Sequence, residues 1–403
     1  MKEYFAAVIG AGASGLMASQ RLARAGKSVV LLEAQEKVGR KLLATGNGRC
    51  NISHTGLSAD DYDNPFVRGV LERYGYDRVK EEFRLLGIPY RTDEEGRAYP
   101  ASLQSSGVLD ALRYAVKRYG VDVREGMRVV AIKRDGGLFC VKTVKETIRC
   151  RKVLLACGGS AAPQLGGCDD GYRLAKALGH HCAPVSCALS PIPVREKTIR
   201  SLKGLRARCE VAVCADGEIC ARESGEVLFQ DDAISGIVSM QLSSFVVKLC
   251  DEGKKPYVLI RFCENAREVV RERISLMPQR PAGDILNGLL PRMIGETLVK
   301  TAGISLTKAA GEMTENEIRS LASQLAGWKL AVDAPRDMKL AQVTRGGLKT
   351  DEFCPETLMS RLTEGFYAAG EVLDVCGKCG GYNLHWAWAG ALCAAEDMIG
   401  SRV

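Results

Sequence analysis

The sequence predicts an α/β protein in which a parallel, nucleotide-binding sheet is interrupted by an inserted segment. Two observations support this. A strand–glycine turn–helix–strand unit opens the chain, and glycine turns again follow apolar stretches after about residue 344. Between about residues 190 and 343 the pattern changes to short strands and then helices. The 403 residues, 46% of them hydrophobic, suffice for two or three domains with buried cores.

The opening unit has the spacing of a dinucleotide-binding fingerprint. Its predicted strand, glycine turn, helix and second strand are Tyr4–Ile9, Gly10–Gly15, Leu16–Ala25 and Ser28–Leu32. Gly10 permits the sharp turn, Gly12 lets the backbone approach a pyrophosphate, and Gly15 lets the helix pack on the strand. Glu33 follows the second strand, where its carboxylate can accept both ribose hydroxyls. We therefore expect a dinucleotide with its phosphates at the helix N-terminus.

A basic, glycine-rich loop comes next. Arg40 and Lys41 could meet the pyrophosphate, and Gly46–Gly48 would bring the backbone close to a flat group. The alternative is an ordinary basic surface loop.

Two later stretches repeat the strand-to-glycine pattern. The predicted strand Thr147–Ala156 ends in Cys157-Gly158-Gly159, and the strand Gly365–Ala369 runs into Gly370-Glu371. Gly380 and Gly381 then precede a predicted helix, Leu384–Met398, so a second helix N-terminus can point at the cofactor.

The remaining periodicity defines the domains. Predicted helices are Asp77–Leu86, Val108–Tyr119, Asp170–Leu178, Ile285–Leu290, Ile294–Thr301 and Glu315–Leu325, and predicted strands are Val121–Arg124, Arg128–Lys133, Leu138–Thr143, Ala207–Ala215, Glu218–Ala221, Glu226–Phe229, Trp328–Val332 and Gln342–Thr344. We place a nucleotide-binding domain at residues 1–190 and 344–403. The inserted substrate domain is 191–343, with a β-barrel-like part (about 191–262 and 327–343) and a helical part (about 264–326).

Composition narrows the class of protein. There is no signal-peptide pattern and no apolar run of the ~18–20 residues that a spanning helix needs, so we expect a soluble cytoplasmic protein. The 16 cysteines are mostly scattered singly, and none belongs to a zinc-type ligand set, so no metal is expected. A net charge of +8 suits an anionic cofactor and does not by itself indicate nucleic acid.

Two features favour FAD as the bound dinucleotide. Glycine turns from distant parts of the chain would contact a long cofactor at several points, and no second GxGxxG follows a strand. NAD(P)H is therefore expected only as a transient co-substrate.

On these motifs the chain resembles the single-Rossmann FAD/NAD(P)-binding oxidoreductases of the glutathione-reductase-like superfamily. It is more narrowly similar to bacterial flavoproteins of an aminoacetone-oxidase-like or bile-acid-reductase-like family. The narrower resemblance covers essentially the whole length and rests on Val8–Gly15, Gly39–Asn51, Ala156–Gly159 with Asp170-Gly171-Tyr172, Ala341–Gly347 and Ala369–Trp388.

The resemblance implies a set of contacts to non-covalent FAD. They are Gly10, Gly12, Ala13, Ser14, Gly15, Glu33, Ala34, Arg40, Lys41, Leu42, Gly48, Cys50, Asn51, Val129, Ala156, Cys157, Gly158, Gly370, Glu371, Asp374, Gly381, Asn383 and Leu384. Val129 would meet the adenine through its backbone, while Glu371 and Asp374 approach the phosphate and ribityl chain. The N–H groups of Asn383 and Leu384 would face the pyrimidine edge of the flavin, where donors stabilise the charge of the reduced form.

The chain departs from the family pattern in three places. Gln230–Ile237 lacks the His and the Pro that family members tend to carry, His385 stands where Gln is common, and Cys376 stands where Asp is usual.

Four residues near the C-terminus are candidates for chemistry. Cys376 and Cys379, at CxxC spacing before a helix, are predicted to have lowered pKa values and could exchange electrons with a flavin; an incidental pair is the alternative. His385 could relay a proton or be a packed histidine. Tyr382 could shape the substrate side.

The leading hypothesis is an FAD-dependent oxidoreductase that transfers hydride between flavin N5 and a small organic substrate, with an NAD(P)H-linked reductase favoured over an oxidase. One alternative is a tRNA-modifying or RNA-binding flavoprotein, suggested by the basic cluster Arg195–Arg208. Another is a thiol-linked flavin redox sensor. We expect a small-molecule partner, no membrane partner and no nucleic acid.

Overall fold

The computed structural model describes residues 3–401, which divide into two compact units. The first unit runs up to Ser186 and resumes at Met338. The second unit is the intervening segment, Cys187–Asp337.

The secondary-structure elements are numbered in chain order. The strands are β1 Glu3–Ile9, β2 Val29–Leu32, β3 Ser53–His54, β4 Tyr90–Thr92, β5 Arg97–Pro100, β6 Asp122–Arg124, β7 Val129–Asp135, β8 Leu138–Thr143, β9 Thr147–Leu155, β10 Cys182–Ala188, β11 Ile192–Pro193, β12 Arg206–Ala215, β13 Glu218–Phe229, β14 Ala233–Ser235, β15 Tyr257–Arg261, β16 Trp328–Ala331, β17 Val343–Leu348 and β18 Phe366–Ala368. The helices are α1 Ala13–Arg24, α2 Arg40–Ala44, α3 Arg68–Arg73, α4 Tyr76–Leu85, α5 Ser105–Arg118, α6 Asp170–Lys176, α7 Ile237–Asp251, α8 Ala266–Leu276, α9 Arg292–Thr301, α10 Glu315–Gly327 and α11 Tyr382–Gly400.

The first unit is built on one large sheet with the order β6-β2-β1-β9-β8-β7 and with β18 also beside β9. β6, β2, β1, β9 and β18 run parallel to their neighbours. β8 pairs antiparallel with the start of β9, and β7 with β8, as the predicted hairpin requires. All of β2 and the last four residues of β1 are buried, which is typical of a parallel sheet covered on both faces. The predicted α/β class is confirmed.

Helix α1 begins three residues before the predicted Leu16, so that Gly15 lies inside its first turn. A Cβ atom on Gly15 would stand 1.8 Å from the carbonyl oxygen of Gly10. Gly10 itself has a φ of +98°, a conformation that favours glycine. These two residues let α1 close directly onto the end of β1.

Helix α11 lies in the same core and is buried along most of its length. Its C-terminal end is capped by Lys152 of β9, a fully buried lysine whose Nζ donates to the carbonyl oxygen of Met398 at 2.7 Å and to Oγ of Ser401 at 2.6 Å. Burial lowers the pKa of Lys152. A cation at a helix C-terminus is stabilising, so Lys152 anchors α11 to the central strand.

The second unit contains a closed barrel with the strand order β11-β14-β13-β12-β15-β16. Val194, just after β11, bridges to Val332, just after β16, and the N–H of Arg195 donates to the carbonyl oxygen of Ala331 at 2.9 Å. The first and last strands therefore pair with each other. Helices α8, α9 and α10 share one hydrophobic core with the barrel, so the predicted barrel-plus-helices architecture is confirmed.

Three predictions for the second unit are wrong in detail. Helix α7 occupies part of the predicted β region. The prediction was wrong there because the β-branched residues of this segment resemble those of a strand. The two predicted strands Glu218–Ala221 and Glu226–Phe229 are one continuous strand, β13. Gly225 lies inside it, and a Cβ there would be 2.8 Å from Val238 of α7, so the glycine makes room for that helix. Ile285–Leu290 is a loop, because Gly288 adopts a φ of +85°.

The structure places no helix that is long and apolar enough to span a membrane within residues 3–401.

Candidate functional site

A cavity in the first unit lies at the carboxyl ends of β1, β2 and β9, where Gly10, Glu33 and Ala156 form parts of its wall. It encloses about 1380 Å³ of space free of protein atoms, part of it open to solvent. Open α/β sheets bind ligands at this edge.

Most of the residues predicted to contact a cofactor lie on the cavity wall. These are Gly10, Gly12, Ala13, Ser14, Glu33, Ala34, Arg40, Lys41, Leu42, Val129, Ala156, Cys157, Gly158, Glu371, Asn383 and Leu384. The predicted contacts that do not line it are Gly15, Gly48, Cys50, Asn51, Gly370, Asp374 and Gly381, and the four chemistry candidates Tyr382, His385, Cys376 and Cys379 also lie off the wall.

The wall also contains segments that the sequence analysis missed. Leu165–Cys168, Gln342, Val343 and Arg128 are examples. In the sequence, the only feature that could have indicated the segment Leu165–Cys168 is the Gly166-Gly167 pair.

The N-terminus of α1 is open towards the cavity. No side chain within residues 3–401 caps the helix at Gly12. A Cβ on Gly12 or on Gly158 would meet no protein atom within 4 Å, although both residues are on the wall. This glycine-lined cradle beneath a helix N-terminus fits the pyrophosphate of a dinucleotide.

Glu33 holds the turn that precedes α1. One carboxylate oxygen accepts the N–H of Ala11 and the other accepts the N–H of Gln35, both at 2.8 Å. Each oxygen retains a further lone pair for a ribose hydroxyl.

The two cations after the fingerprint have protein partners. Arg40 donates to Oε1 of Gln35 at 2.8 Å and to the carbonyl oxygen of Gln164 at 3.0 Å. Nζ of Lys41 contacts both carboxylate oxygens of Glu371, at 2.8 and 3.1 Å, and Glu371 also accepts the N–H of Thr344. Lys41 therefore lines the wall as part of an ion pair, in which the carboxylate of Glu371 balances its charge.

A second helix N-terminus reaches the wall at Asn383 and Leu384. The N-cap of α11 is Gly381, and no side chain among the described residues caps it. The Asn383 side chain is committed to the preceding loop: its Oδ1 accepts the N–H of Gly377, and its Nδ2 donates to the carbonyl oxygen of Gly377, both at 2.8 Å. The side chain of Asn383 thus organises the loop, and the backbone N–H groups at the start of α11 have no side-chain cap.

His385 is a packed histidine. It is fully buried, with Nδ1 at 2.8 Å from Oγ of Ser53 and Nε2 at 2.9 Å from the carbonyl oxygen of Tyr74. The carbonyl can only accept, so Nε2 carries the proton and Nδ1 accepts from Ser53. Burial lowers the pKa of His385 to about 4. A neutral ring with both nitrogens occupied has no free position for a proton relay.

The prediction of lowered pKa values for Cys376 and Cys379 is wrong. Burial raises the pKa of Cys379 to about 11, and that of Cys376 is also raised by burial. Both are free thiols. Burial also raises the pKa of Cys50 to about 12. Desolvation of the thiolate raises the pKa of these cysteines by more than the nearby helix N-terminus lowers it.

Tyr382 and Asp374 support the loops around the wall. The Tyr382 ring stacks on His54, with ring centroids 4.9 Å apart. Burial raises the pKa of the Asp374 carboxyl, and its backbone carbonyl accepts from Nδ2 of Asn64. Within residues 3–401 no cluster of three or more His, Cys, Asp or Glu side chains is arranged to hold a metal ion.

The family model described as the HI0933-like protein Rossmann domain matches residues 4–397. The chain belongs to the HI0933-like family. As a member of that family it is a Rossmann flavoprotein and an oxidoreductase.

Relatives of this HI0933-like protein extend over its whole length. A 3-dehydro-bile acid delta(4,6)-reductase from Clostridium scindens is 34% identical over 392 residues, which cover 95% of this chain and 96% of the relative. A ribosomal RNA dihydrouridine synthase from Escherichia coli is 27% identical over 406 residues, covering 100% of both. The solved 3-ketosteroid delta1-dehydrogenase of Sterolibacterium denitrificans superposes with a TM-score of 0.56 at 14% identity, covering 100% of both chains, and so shares the fold.

Proposed function

We propose that this chain is an FAD-dependent reductase of a carbon–carbon double bond conjugated to a carbonyl group in a small organic substrate, with NAD(P)H as the transient reductant. The observation that carries the proposal is the end-to-end similarity to a relative named as a bile acid delta(4,6)-reductase. A 3-dehydro bile acid has a 3-oxo group, with which double bonds at positions 4 and 6 are conjugated. The second relative supports the same chemistry, since dihydrouridine is uridine with a reduced double bond beside a carbonyl.

The reaction has a simple balance. When bound, FAD in its reduced state supplies a hydride from N5 to the β-carbon of the conjugated system. The α-carbon would take a proton from solvent, so that the double bond gains two hydrogen atoms in all. NAD(P)H would then return two electrons and a proton as hydride.

The residues of this chain would bind and orient the cofactor. The N-terminus of α1 and the Glu33 carboxylate suit the ADP half, since they offer N–H donors to phosphate and acceptors to ribose. The N-terminus of α11 offers donors at Asn383 and Leu384, which favour a negative charge that develops on reduction. The proposal gives His385 no role in proton transfer, because both of its ring nitrogens are hydrogen-bonded within the fold.

Anaerobic stopped-flow mixing tests the proposal in two steps. Holoprotein is first mixed with NADH or NADPH, and loss of the oxidised flavin absorbance is expected with at least one of them. The reduced protein is then mixed with a 3-oxo-4-ene steroid, and the flavin absorbance should return without dioxygen. A saturated 3-oxo steroid is the matched control. If the enone returns the absorbance no faster than the saturated ketone, the proposed substrate class is wrong.

A second candidate is reduction of uridine within RNA. The full-length similarity to the E. coli enzyme favours it. The basic cluster of the second unit offers less support, because Arg195, Lys203 and Arg206 are each paired with a carboxylate. Incubation of reduced holoprotein with ribosomal RNA fragments, followed by nucleoside analysis, would reveal dihydrouridine. Its absence, together with no RNA binding at low salt, would eliminate this candidate.

A further inference from the structure

Three consecutive residues, Asp61, Tyr62 and Asp63, lie along the loop that leads into α11. The N–H of Asp63 donates to the carbonyl oxygen of Cys376 at 3.0 Å, and Oδ1 of Asp63 accepts the N–H of Cys376 at 2.7 Å. The N–H of Lys378 donates to the carbonyl oxygen of Asp61 at 2.9 Å. The segment thus pairs with the loop in the manner of a short antiparallel strand.

Tyr62 connects this segment to the helix itself. Its ring is buried and meets the Tyr382 ring edge-on, with centroids 6.1 Å apart. Its hydroxyl donates to the carbonyl oxygen of Tyr382, the first residue of α11, at 2.9 Å. A Cβ on Gly377 would stand 2.8 Å from the Tyr62 ring, so the loop needs glycine where the tyrosine packs.

The loop is held from its other side by the helix. The two backbone polar groups of Cys376 pair with Asp63, and those of Gly377 pair with the Asn383 side chain. Cys376 is therefore held by Asp63 on one side of the loop, and the next residue, Gly377, is held by Asn383 on the other. A loop that contains Gly377, Gly380 and Gly381 has little conformational preference of its own, so its geometry depends on these partners.

The segment is also anchored to other elements of the first unit. Nε of Arg345, in β17, lies 3.5 Å from Oδ2 of Asp63. Nδ2 of Asn64 donates to the carbonyl oxygen of Asp374 at 2.8 Å. β17 also contributes Val343 to the cavity wall, so these contacts link the segment to a strand at the cavity.

We propose that residues 61–64 form a clamp that positions the N-terminus of α11 at the cofactor cavity, with Tyr62 and Asp63 as positioning residues. The proposal rests on FAD as the cofactor of the proposed function. Hydrogen-bond donors stabilise charge on a cofactor only when they are held within about 0.5 Å of the productive position. The clamp supplies that constraint from a segment of the chain about 320 residues before α11.

The test compares four purified holoproteins with the wild type: Tyr62→Phe, Asp63→Ala, Asp63→Asn and Asp60→Ala. The first removes one hydroxyl and leaves the ring. Asparagine at position 63 still offers an oxygen to the N–H of Cys376, and exposed Asp60 is the matched control. The measurements are the FAD dissociation rate, from flavin fluorescence in the presence of an FAD-trapping apoprotein, and the midpoint potential of the flavin.

Tyr62→Phe and Asp63→Ala should each raise the FAD dissociation rate by about twofold to tenfold, the effect of one hydrogen bond. Both should shift the potential to more negative values, because the reduced flavin loses aligned donors. Asp63→Asn should stay closer to the wild type than Asp63→Ala, and Asp60→Ala should match the wild type.

The clamp would be refuted if Tyr62→Phe and Asp63→Ala both kept the wild-type FAD dissociation rate and flavin midpoint potential. This holds even if the two variants are less stable than the wild type. An equal change in Asp60→Ala would refute it too. Neither measurement uses a substrate, so failure of enone reduction would leave the result for the clamp intact.

Discussion

The two helix N-termini at the cavity are held in different ways. At α1 the support is local: Gly10 and Gly15 touch within one turn, and Glu33 binds the same turn from the next strand. At α11 the support comes from Tyr62 and Asp63, which are more than 300 residues away in the chain. The first arrangement is recognisable as a fingerprint, and the second can be seen only in the folded molecule.

Glycine substitutions at α1 should give the largest effects and define the local arrangement. Gly15→Ala places a methyl group 1.8 Å from a backbone carbonyl oxygen, so we expect loss of FAD binding and a large fall in melting temperature. Gly12→Ala is the matched variant. Its methyl group meets no protein atom within 4 Å, so the apoprotein should melt within a few degrees of the wild type while FAD affinity falls by about tenfold or more. Calorimetry measures the melting temperature of each apoprotein, and titration with FAD measures its affinity for the cofactor. Wild-type affinity in Gly12→Ala would show that no cofactor approaches this turn.

Glu33→Gln should weaken FAD binding by about tenfold, the cost of leaving one buried N–H without an acceptor. The amide has one acceptor oxygen in place of two, so it can serve Ala11 or Gln35 but not both. FAD titration gives the affinity, and the exposed neighbour Glu36→Gln is the control. Equal affinities for the two variants would contradict the role of the carboxylate.

The stability contributed by the α11 side should depend on pH through His385. His385 titrates at about 4 in the folded protein and at ~6.5 when unfolded, so protonation favours the unfolded state. Its contribution to stability is complete above about pH 6.5 and is lost as the pH falls towards 4, by about 3 kcal/mol at most. Urea unfolding between pH 8 and pH 4 should therefore show a steeper loss for the wild type than for His385→Gln. Parallel curves would mean that the ring is not desolvated.

The smallest effect is expected from the cysteines of the α11 loop. Cys376→Ala with Cys379→Ala should leave the flavin potential and the oxidant response unchanged, because thiols with raised pKa values stay protonated near neutral pH. Thiol counting before and after mild peroxide treatment gives the direct readout. A loss of two thiols in the wild type alone would restore the redox-pair hypothesis.

The sequence was informative wherever the deciding contacts are local. The strand–turn–helix at Gly10–Gly15 and the hairpin between β7 and β8 follow from neighbouring residues. The ion pair of Lys41 with Glu371 joins residues 330 positions apart, so no spacing rule could indicate it. The thiol pKa values depended on burial, which the CxxC pattern does not encode. Helix α7 was missed because packing against β13 overrides the strand preference of its valines.

The closure of the barrel has a consequence for how this chain can change over time. Since β11 and β16 are hydrogen-bonded to each other, the entry and exit of the inserted segment lie side by side. Because its two ends are adjacent, the inserted segment can gain, lose or exchange residues without moving the points at which it joins the first unit. The segment 187–337 can therefore change in sequence or length while the two ends that join it to the first unit stay adjacent.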